Sequence, residues 1–379
     1  MPHRNNQQGP VAAIGAPSTS ELSAHGAYSN QALKAQKSTA WLPPTVDMTA
    51  LLAAGSTASG LAAAIKAAPD GVLVLSNTLQ APFGSIGELF GRVTPERAAR
   101  ANAAYQSGTS RLVWKDAHGE GRGGPHVDYK RVIDLSPHRM ESLTSSDPGL
   151  AAELGEPLQE VVSFFTAVRD SYGPLLVEAL GEATGFPFTE DEARYAFRLV
   201  EYPARELKAD AGTSAPPRCS AHRDFGPATL IWPGGEEPEG LEVRVNGQWQ
   251  RLPRLPARSA VLLFGICTAW RSNDRISSAE HRVADDPALM AGAAGATPRR
   301  LSAVLFVGLH ESSVLSPALV GPGEAPRYRT MVTGEVQPTV RRKWSWREGS
   351  VTAEEAAAEE EERALFDSQE ALITALYKL

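Results

Sequence analysis

The sequence predicts an α+β fold in which an antiparallel sandwich or barrel is flanked by helices. Three observations predict it. Short strand-like runs follow one another closely from Ala196 to Val307, a spacing of antiparallel strands rather than of a parallel sheet. Asn246-Gly247 separates Leu241–Val245 from Gln248–Gln250, and such a pair is the strongest short hairpin signal, because both turn residues need positive φ. Upstream, Leu158, Val161, Phe165, Val168, Tyr172, Leu175 and Ala179 recur at spacings of three and four, the stripe of a helix lying against a sheet.

The elements follow in chain order. Residues 1–40 are rich in Gln, Asn, Ser, Ala, Gly and Pro without periodicity and read as a flexible tail. Asp47 to Ala67 is Ala- and Leu-rich and reads as a helix, and Gly71 to Leu75 as a short buried strand. The striped helix runs from Pro157, which suits a first turn, to Leu180; Pro174 inside it is expected to kink or split it near Gly173. Strands are then expected at Ala196–Tyr202, Ala228–Trp232, the two arms of the hairpin, Ala260–Phe264 and Ser302–Val307. From Thr352 onward, an acidic half around Glu354, Glu355 and Glu359–Glu362 reads as a solvated helix. The apolar half, with Leu365, Phe366, Leu372, Ile373 and Leu376, is expected to dock on the body or on a second subunit.

Composition narrows the function. The formal charge is −7, from 37 basic and 44 acidic residues, so the chain has no general pull toward phosphate backbones and no nucleic-acid partner is expected. No apolar run reaches transmembrane length, no secretory signal layout is present, and neither membrane association nor export is expected. Cys219 and Cys267 are the two cysteines, and they read as reduced thiols of a cytoplasmic protein.

The chemistry starts at His222-Arg-Asp224. Residues i and i+2 of a strand face one way, so His222 and Asp224 can enter one cavity while Arg223 points out. Alone the triplet reads rather as a surface ion pair. His281, after the hairpin and two strands, is the candidate third ligand. Two imidazoles and one carboxylate on one face leave open positions on a ferrous ion. His3, His25, His118, His126 and His138 lack such a strand context, and His310 alone follows a strand. Arg300 and Ser302 share a face two residues apart, and a guanidinium fork with a hydroxyl can hold a carboxylate, although Arg300 taken alone reads rather as the partner of a surface acid. Tyr202 can add its hydroxyl or serve as a core aromatic. Phe225, Trp232, Phe264, Trp270, Phe306 and Leu309 lie near these motifs and could line an apolar pocket.

In this order, Tyr202-Pro203, His222-Arg-Asp224, Gly240-Leu-Glu-Val243, Gly247-Gln-Trp249, Ser272-Asn273, His281-Arg-Val283 and Arg300-Leu-Ser302 resemble the plant-type, isopenicillin-N-synthase-like 2-oxoglutarate/Fe(II)-dependent dioxygenases. Thr45–Met48 and Asp128-Tyr-Lys130 extend the resemblance upstream, to about residues 40–345. The resemblance implies a double-stranded β-helix, a cupin-like jelly roll, with helices outside. It implies one oxygenase domain over 41–345, with a helical and strand part at 41–195 and the metal core at 196–312, followed by a C-terminal helix at 346–379. His222, Asp224 and His281 match the metal ligands, Arg300 and Ser302 the carboxylate clamp, and Tyr202 the tyrosine that assists it.

The implied cofactors are Fe(II), 2-oxoglutarate and O2, with ascorbate as an optional reductant. The implied partner is a small-molecule substrate, hydroxylated, desaturated or otherwise oxidised with release of succinate and CO2, and a monomer is the favoured state. Three departures stand out: Val200 replaces the family's Asn before the clamp tyrosine, Gly265-Ile266 replaces its Gly-Asp, and the segment between His281 and Arg300 is longer. Two other readings remain: an iron oxidase of the same fold that does not use 2-oxoglutarate, and a non-catalytic binding protein. A zinc hydrolase is more remote, for want of a general base near the ligands.

Overall fold

Period-two alternation of apolar residues builds two sheets in a computed structural model. The structure describes residues 41–53, 57–106, 113–116, 128–135, 147–206, 217–234, 240–285, 296–319, 321–347 and 377–379. The tail expected over 1–40, the segment 286–295 and the stretch 352–376 lie outside the described residues.

The large sheet has eight strands: β1 (Thr45–Asp47), β2 (Val72–Ser76), β3 (Val113–Asp116), β4 (Arg131–Leu135), β5 (Ala193–Tyr202), β8 (Ala228–Gly234), β11 (Ala260–Phe264) and β14 (Arg300–Leu309). Their order is β1-β2-β11-β8-β14-β5-β4-β3. Every pairing in it is antiparallel except that of β1 with β2. The small sheet, β10-β9-β12-β7, is antiparallel throughout; it comprises β7 (Cys219–His222), β9 (Leu241–Val245), β10 (Gln248–Arg251) and β12 (His281–Val283). Two short pairs complete the set: β6 (Arg205–Glu206) with β13 (Ala296–Thr297), and β15 (Val314–Leu315) with β16 (Met331–Val332). The hairpin between β9 and β10 turns on Asn246 at φ 49° and Gly247 at φ 77°, the positive pair that the sequence required.

Strand parity sorts side chains between two cores. On β14, Ala303, Leu305 and Val307 pack outward under the helices, whereas Val304 and Phe306 join an inner cluster. That inner cluster also takes Val200 and Tyr202 from β5, Val261 and Leu263 from β11, and Leu241 and Val243 from the small sheet. The two sheets therefore face each other across it, and the site described below opens into the same layer.

The helices are α1 (Met48–Ala53), α2 (Thr57–Lys66), α3 (Phe83–Arg92), α4 (Pro95–Gln106), α5 (Pro148–Thr184), α6 (Ile266–Arg271) and α7 (Thr333–Arg347). The single helix expected over 47–67 is two, α1 and α2. Asp47 ends β1 and accepts from the backbone N–H groups of Thr49 and Ala50, so the first starts one residue later. The long helix is capped by Asp147, whose side chain accepts from Leu150 N. Its break falls at Gly155 (φ 61°, ψ −147°), and Pro174 keeps helical dihedrals. Packing explains the difference: Phe164, Phe165 and Val168 before Pro174 and Leu175, Leu176 and Ala179 after it are buried, and Phe165 stacks on Phe197 of β5 at 4.9 Å. At about 1.5–3 kcal/mol for each such buried side chain, these contacts outweigh the roughly 3 kcal/mol cost of an internal proline.

Candidate active site

β7 and β12 are neighbours in the small sheet, and their register sets His281 directly opposite His222. Cross-strand partners lie side by side, so the two imidazole rings come to 4.2 Å between centroids. Each ring is turned by a local contact: His222 Nδ1 lies 2.8 Å from the Ser220 carbonyl, and His281 Nδ1 lies 3.1 Å from that of Ala279. A carbonyl only accepts, so both Nδ1 atoms donate, and Nε2 is the nitrogen that each ring turns toward Asp224.

Asp224 lies just beyond the end of β7, not within the strand. Strand alternation therefore does not aim its carboxylate; a braced loop does. Ile266 N donates to the Asp224 carbonyl, Cys267 N to that of Phe225, and Gly265 N to that of Pro227. Gly265 is what permits this approach. A Cβ there would run into the Gly226 carbonyl and lie 2.6 Å from that of Asp224. The departure at Gly265-Ile266 thus keeps the glycine where the loop needs it.

The result is a buried cluster in which one ligand atom from each of His222, Asp224 and His281 lies within 4.8 Å of the others. His222 Nε2 is 3.6 Å from Asp224 Oδ1, and His281 Nε2 is 3.9 Å from Asp224 Oδ2. Two imidazoles and a carboxylate meeting on one side are a donor set that suits a borderline divalent metal with open positions. Among the described residues this is the one group of three or more such side chains placed so that they could hold a metal ion.

Two supports escaped the sequence reading. Thr229 Oγ1, buried on β8, donates to Asp224 Oδ2 at 2.6 Å and leaves the carboxylate aimed at the imidazoles. A polar residue at an inward position of an apolar strand was the signal for it. Asp128 accepts from Ser220 N at 2.7 Å and from Lys130 Nζ at 2.8 Å, fastening β7 just ahead of His222. The Asp-Tyr-Lys segment therefore serves the centre from the other edge of the chain. Arg223 does point away, to the Ser278 carbonyl and Glu280, which brace the approach to His281.

The second group is Arg300, Ser302 and Tyr202. Arg300 pairs in register with Tyr202 across β14 and β5, both are buried, and Ser302 follows on the Arg300 face. Arg300 Nη1 is buried with no hydrogen-bond partner among the described residues. A buried guanidinium nitrogen left so gains from any carboxylate that reaches it. Burial above all holds the Tyr202 phenol well above its ordinary pKa, so it keeps its proton and can donate.

Of the six aromatic and apolar candidates for a pocket wall, strand parity places Trp232, Phe264 and Leu309 in the outer core under the helices, where Trp270 of α6 also lies and against which Phe225 packs. Phe306 alone packs on the inner cluster. Both cysteines are buried and neither forms a disulfide among the described residues, and burial pushes the Cys267 thiol up to about 12. Ser272 and Asn273 shape the turn ahead of β12: Ser272 Oγ accepts from Ile276 N, and Asn273 Oδ1 accepts from Arg327 N. No helix among the described residues is long and apolar enough to cross a membrane.

No protein-family model matches the sequence, and no curated protein matches it. Solved structures do match. A full-length Neurospora crassa protein in complex with alpha-KG and thymine superposes with a TM-score of 0.59 at 17% identity, over 80% of this chain and 98% of that one. A Caulobacter crescentus protein described as of the 2OG-Fe(II) oxygenase family gives 0.59 at 21% identity, over 80% and 99%. The rice dioxygenase for auxin oxidation gives 0.54 at 21% identity, over 78% and 94%. The chain has the fold of these 2-oxoglutarate/Fe(II) oxygenases.

Proposed function

We propose that the chain is an Fe(II)- and 2-oxoglutarate-dependent oxygenase of a small organic molecule. The observation that carries this reading is the meeting of His222, Asp224 and His281 in the layer onto which the buried Arg300 also faces. The two sheets are read as the halves of a double-stranded β-helix within one oxygenase domain over 41–345.

His222 and His281 would hold the iron through Nε2, since their Nδ1 protons are engaged by carbonyls two residues back. Asp224 would be the third ligand, oriented by the Thr229 hydroxyl. Arg300, with Ser302 and the protonated Tyr202, would grip the far carboxylate of 2-oxoglutarate. When bound, the iron with 2-oxoglutarate and O2 supplies the oxidation of a C–H bond, with succinate and CO2 released. The apolar inner cluster around Val200, Val243 and Val304 would limit the access of bulk water to Arg300 and Tyr202. A small-molecule substrate is supported by the fold neighbours, one holding thymine and one described as oxidising auxin.

The test is O2 consumption by the full chain with Fe(II) and 2-oxoglutarate, with succinate measured alongside. Stoichiometric succinate that disappears in His281→Ala is the expected result. O2 consumption without succinate would instead mark an oxidase that does not use 2-oxoglutarate.

A further inference from the structure

Arg218 and Asp285 belong neither to the triad nor to the Arg300 group, yet both are buried beside it. Arg218 is wholly out of solvent, and its guanidinium spans three segments. Nε donates to Asp285 Oδ1 at 2.5 Å, Nη1 to the carbonyls of Tyr202 and Pro203 at 3.2 and 3.0 Å, and Nη2 to Thr297 Oγ1. Those segments are the end of β5, the stretch just after β12, and β13. They frame Arg300 and its register partner Tyr202.

The stretch after β12 gathers two more guanidiniums. Arg251 Nη2 donates to the Asp285 carbonyl at 2.9 Å. A Cβ added at Gly240 would run into both Arg300 Nη1 and the Ala284 carbonyl, which places the Arg300 head against Ala284. Three cationic side chains thus converge on Ala284–Asp285. Asp285 accepts from Arg218, and Glu242 accepts from both Arg251 and Arg282. A buried cationic group is costly until an anion answers it, and Arg300 Nη1 is buried with no hydrogen-bond partner among the described residues. Burial first, and then the like charge of Arg218, hold the Arg300 pKa below its ordinary value, with Asp285 acting the other way.

Resting on the reading of Arg300 as the 2-oxoglutarate grip, we propose that Arg218 is a positioning residue for that grip and Asp285 its counterweight. Arg218 holds Tyr202 and the chain leading into Arg300 in place, and its charge makes this end of the cavity select a doubly charged acid. Asp285 fixes Arg218 and offsets part of that charge.

The two residues then act with opposite signs. Arg218→Met removes both the bridge and a positive charge, and weakens 2-oxoglutarate binding about tenfold or more. Arg218→Lys keeps the charge and recovers part of the loss. Asp285→Asn keeps an oxygen for Arg218 Nε but removes a negative charge from beside Arg300, and tightens binding severalfold. The experiment is calorimetric titration of 2-oxoglutarate into the Mn(II)-loaded full chain, with the melting temperature of each variant recorded. Unchanged affinity in Arg218→Met would overturn the proposal. So would weakened or unchanged affinity in Asp285→Asn, because a merely structural ion pair loses binding whichever partner is altered. If Arg218→Met does not fold, the sign of the Asp285→Asn effect decides alone. Wild-type protein that does not bind 2-oxoglutarate at all would instead overturn the assignment of Arg300, and this proposal with it.

Discussion

Replacing Thr229 by Val removes one hydroxyl and keeps a β-branched side chain in the middle of the large sheet, so the strand is left intact. What is lost is the 2.6 Å bond from Thr229 Oγ1 to Asp224 Oδ2, a buried hydrogen bond to a carboxylate. Bonds of that kind contribute about 1.5–3 kcal/mol. Two consequences oppose each other. A carboxylate without its donor carries more charge density toward a metal, which favours binding, but it is no longer held facing the two Nε2 atoms, which disfavours it. Asp224 hangs on a loop beyond its strand, so orientation is the larger effect, and removing such a support typically lowers metal affinity about 10- to 100-fold. Thr229→Val is therefore expected to weaken Mn(II) or Fe(II) binding about tenfold or more by anaerobic calorimetry, with the strand content seen by circular dichroism unchanged. Wild-type metal affinity in a folded Thr229→Val protein would refute the argument that Asp224 depends on this support.

Three other outcomes follow from the same geometry. Arg300→Ala should weaken 2-oxoglutarate binding about 100-fold by calorimetry, the worth of about 3 kcal/mol of charge-assisted bonding, and should leave metal affinity unchanged because Arg300 touches none of the three ligands. Gly265→Ala puts a Cβ within 2.6 Å of the Asp224 carbonyl. It should cost about 1–3 kcal/mol of stability in thermal melts and lower metal affinity by shifting the Asp224 loop. Asp147 is held to a pKa of about 2, by Arg100 first and then by Leu150 N. A depressed carboxylate contributes stability that is fully present above its unfolded pKa of about 3.9 and is lost as pH falls through the folded value. The stability gap between wild type and Asp147→Ala should thus hold at about 1 kcal/mol near neutrality and shrink between about pH 4 and pH 2 in urea titrations.

Local rules carried the fold a long way and failed where structure is non-local. The Asn246-Gly247 hairpin and the parity of β14 needed only neighbouring residues, and both appear as expected. The parity of β8 and β11 could also have sorted Trp232 and Phe264 into the outer core, had it been applied to them. Pairing was not legible, because nothing near His222 or His281 says that β7 lies against β12. The identities of the three candidate ligands came from motif spacing, but the reason first given for Asp224 was a strand rule, whereas a loop anchored on Gly265–Cys267 places it. Pro174 misled for a related reason: intrinsic propensity predicts a break there, and burial of the flanking turns against the sheet overrides it.

Anaerobic addition of 2-oxoglutarate to the Fe(II)-loaded chain, followed by visible absorption, tests the central assignment most directly. A broad charge-transfer band that saturates at about one equivalent, and is lost in both His281→Ala and Asp224→Ala, is the result expected. No band in the wild type, or a band that survives loss of either ligand, would contradict the assignment of the iron to these side chains.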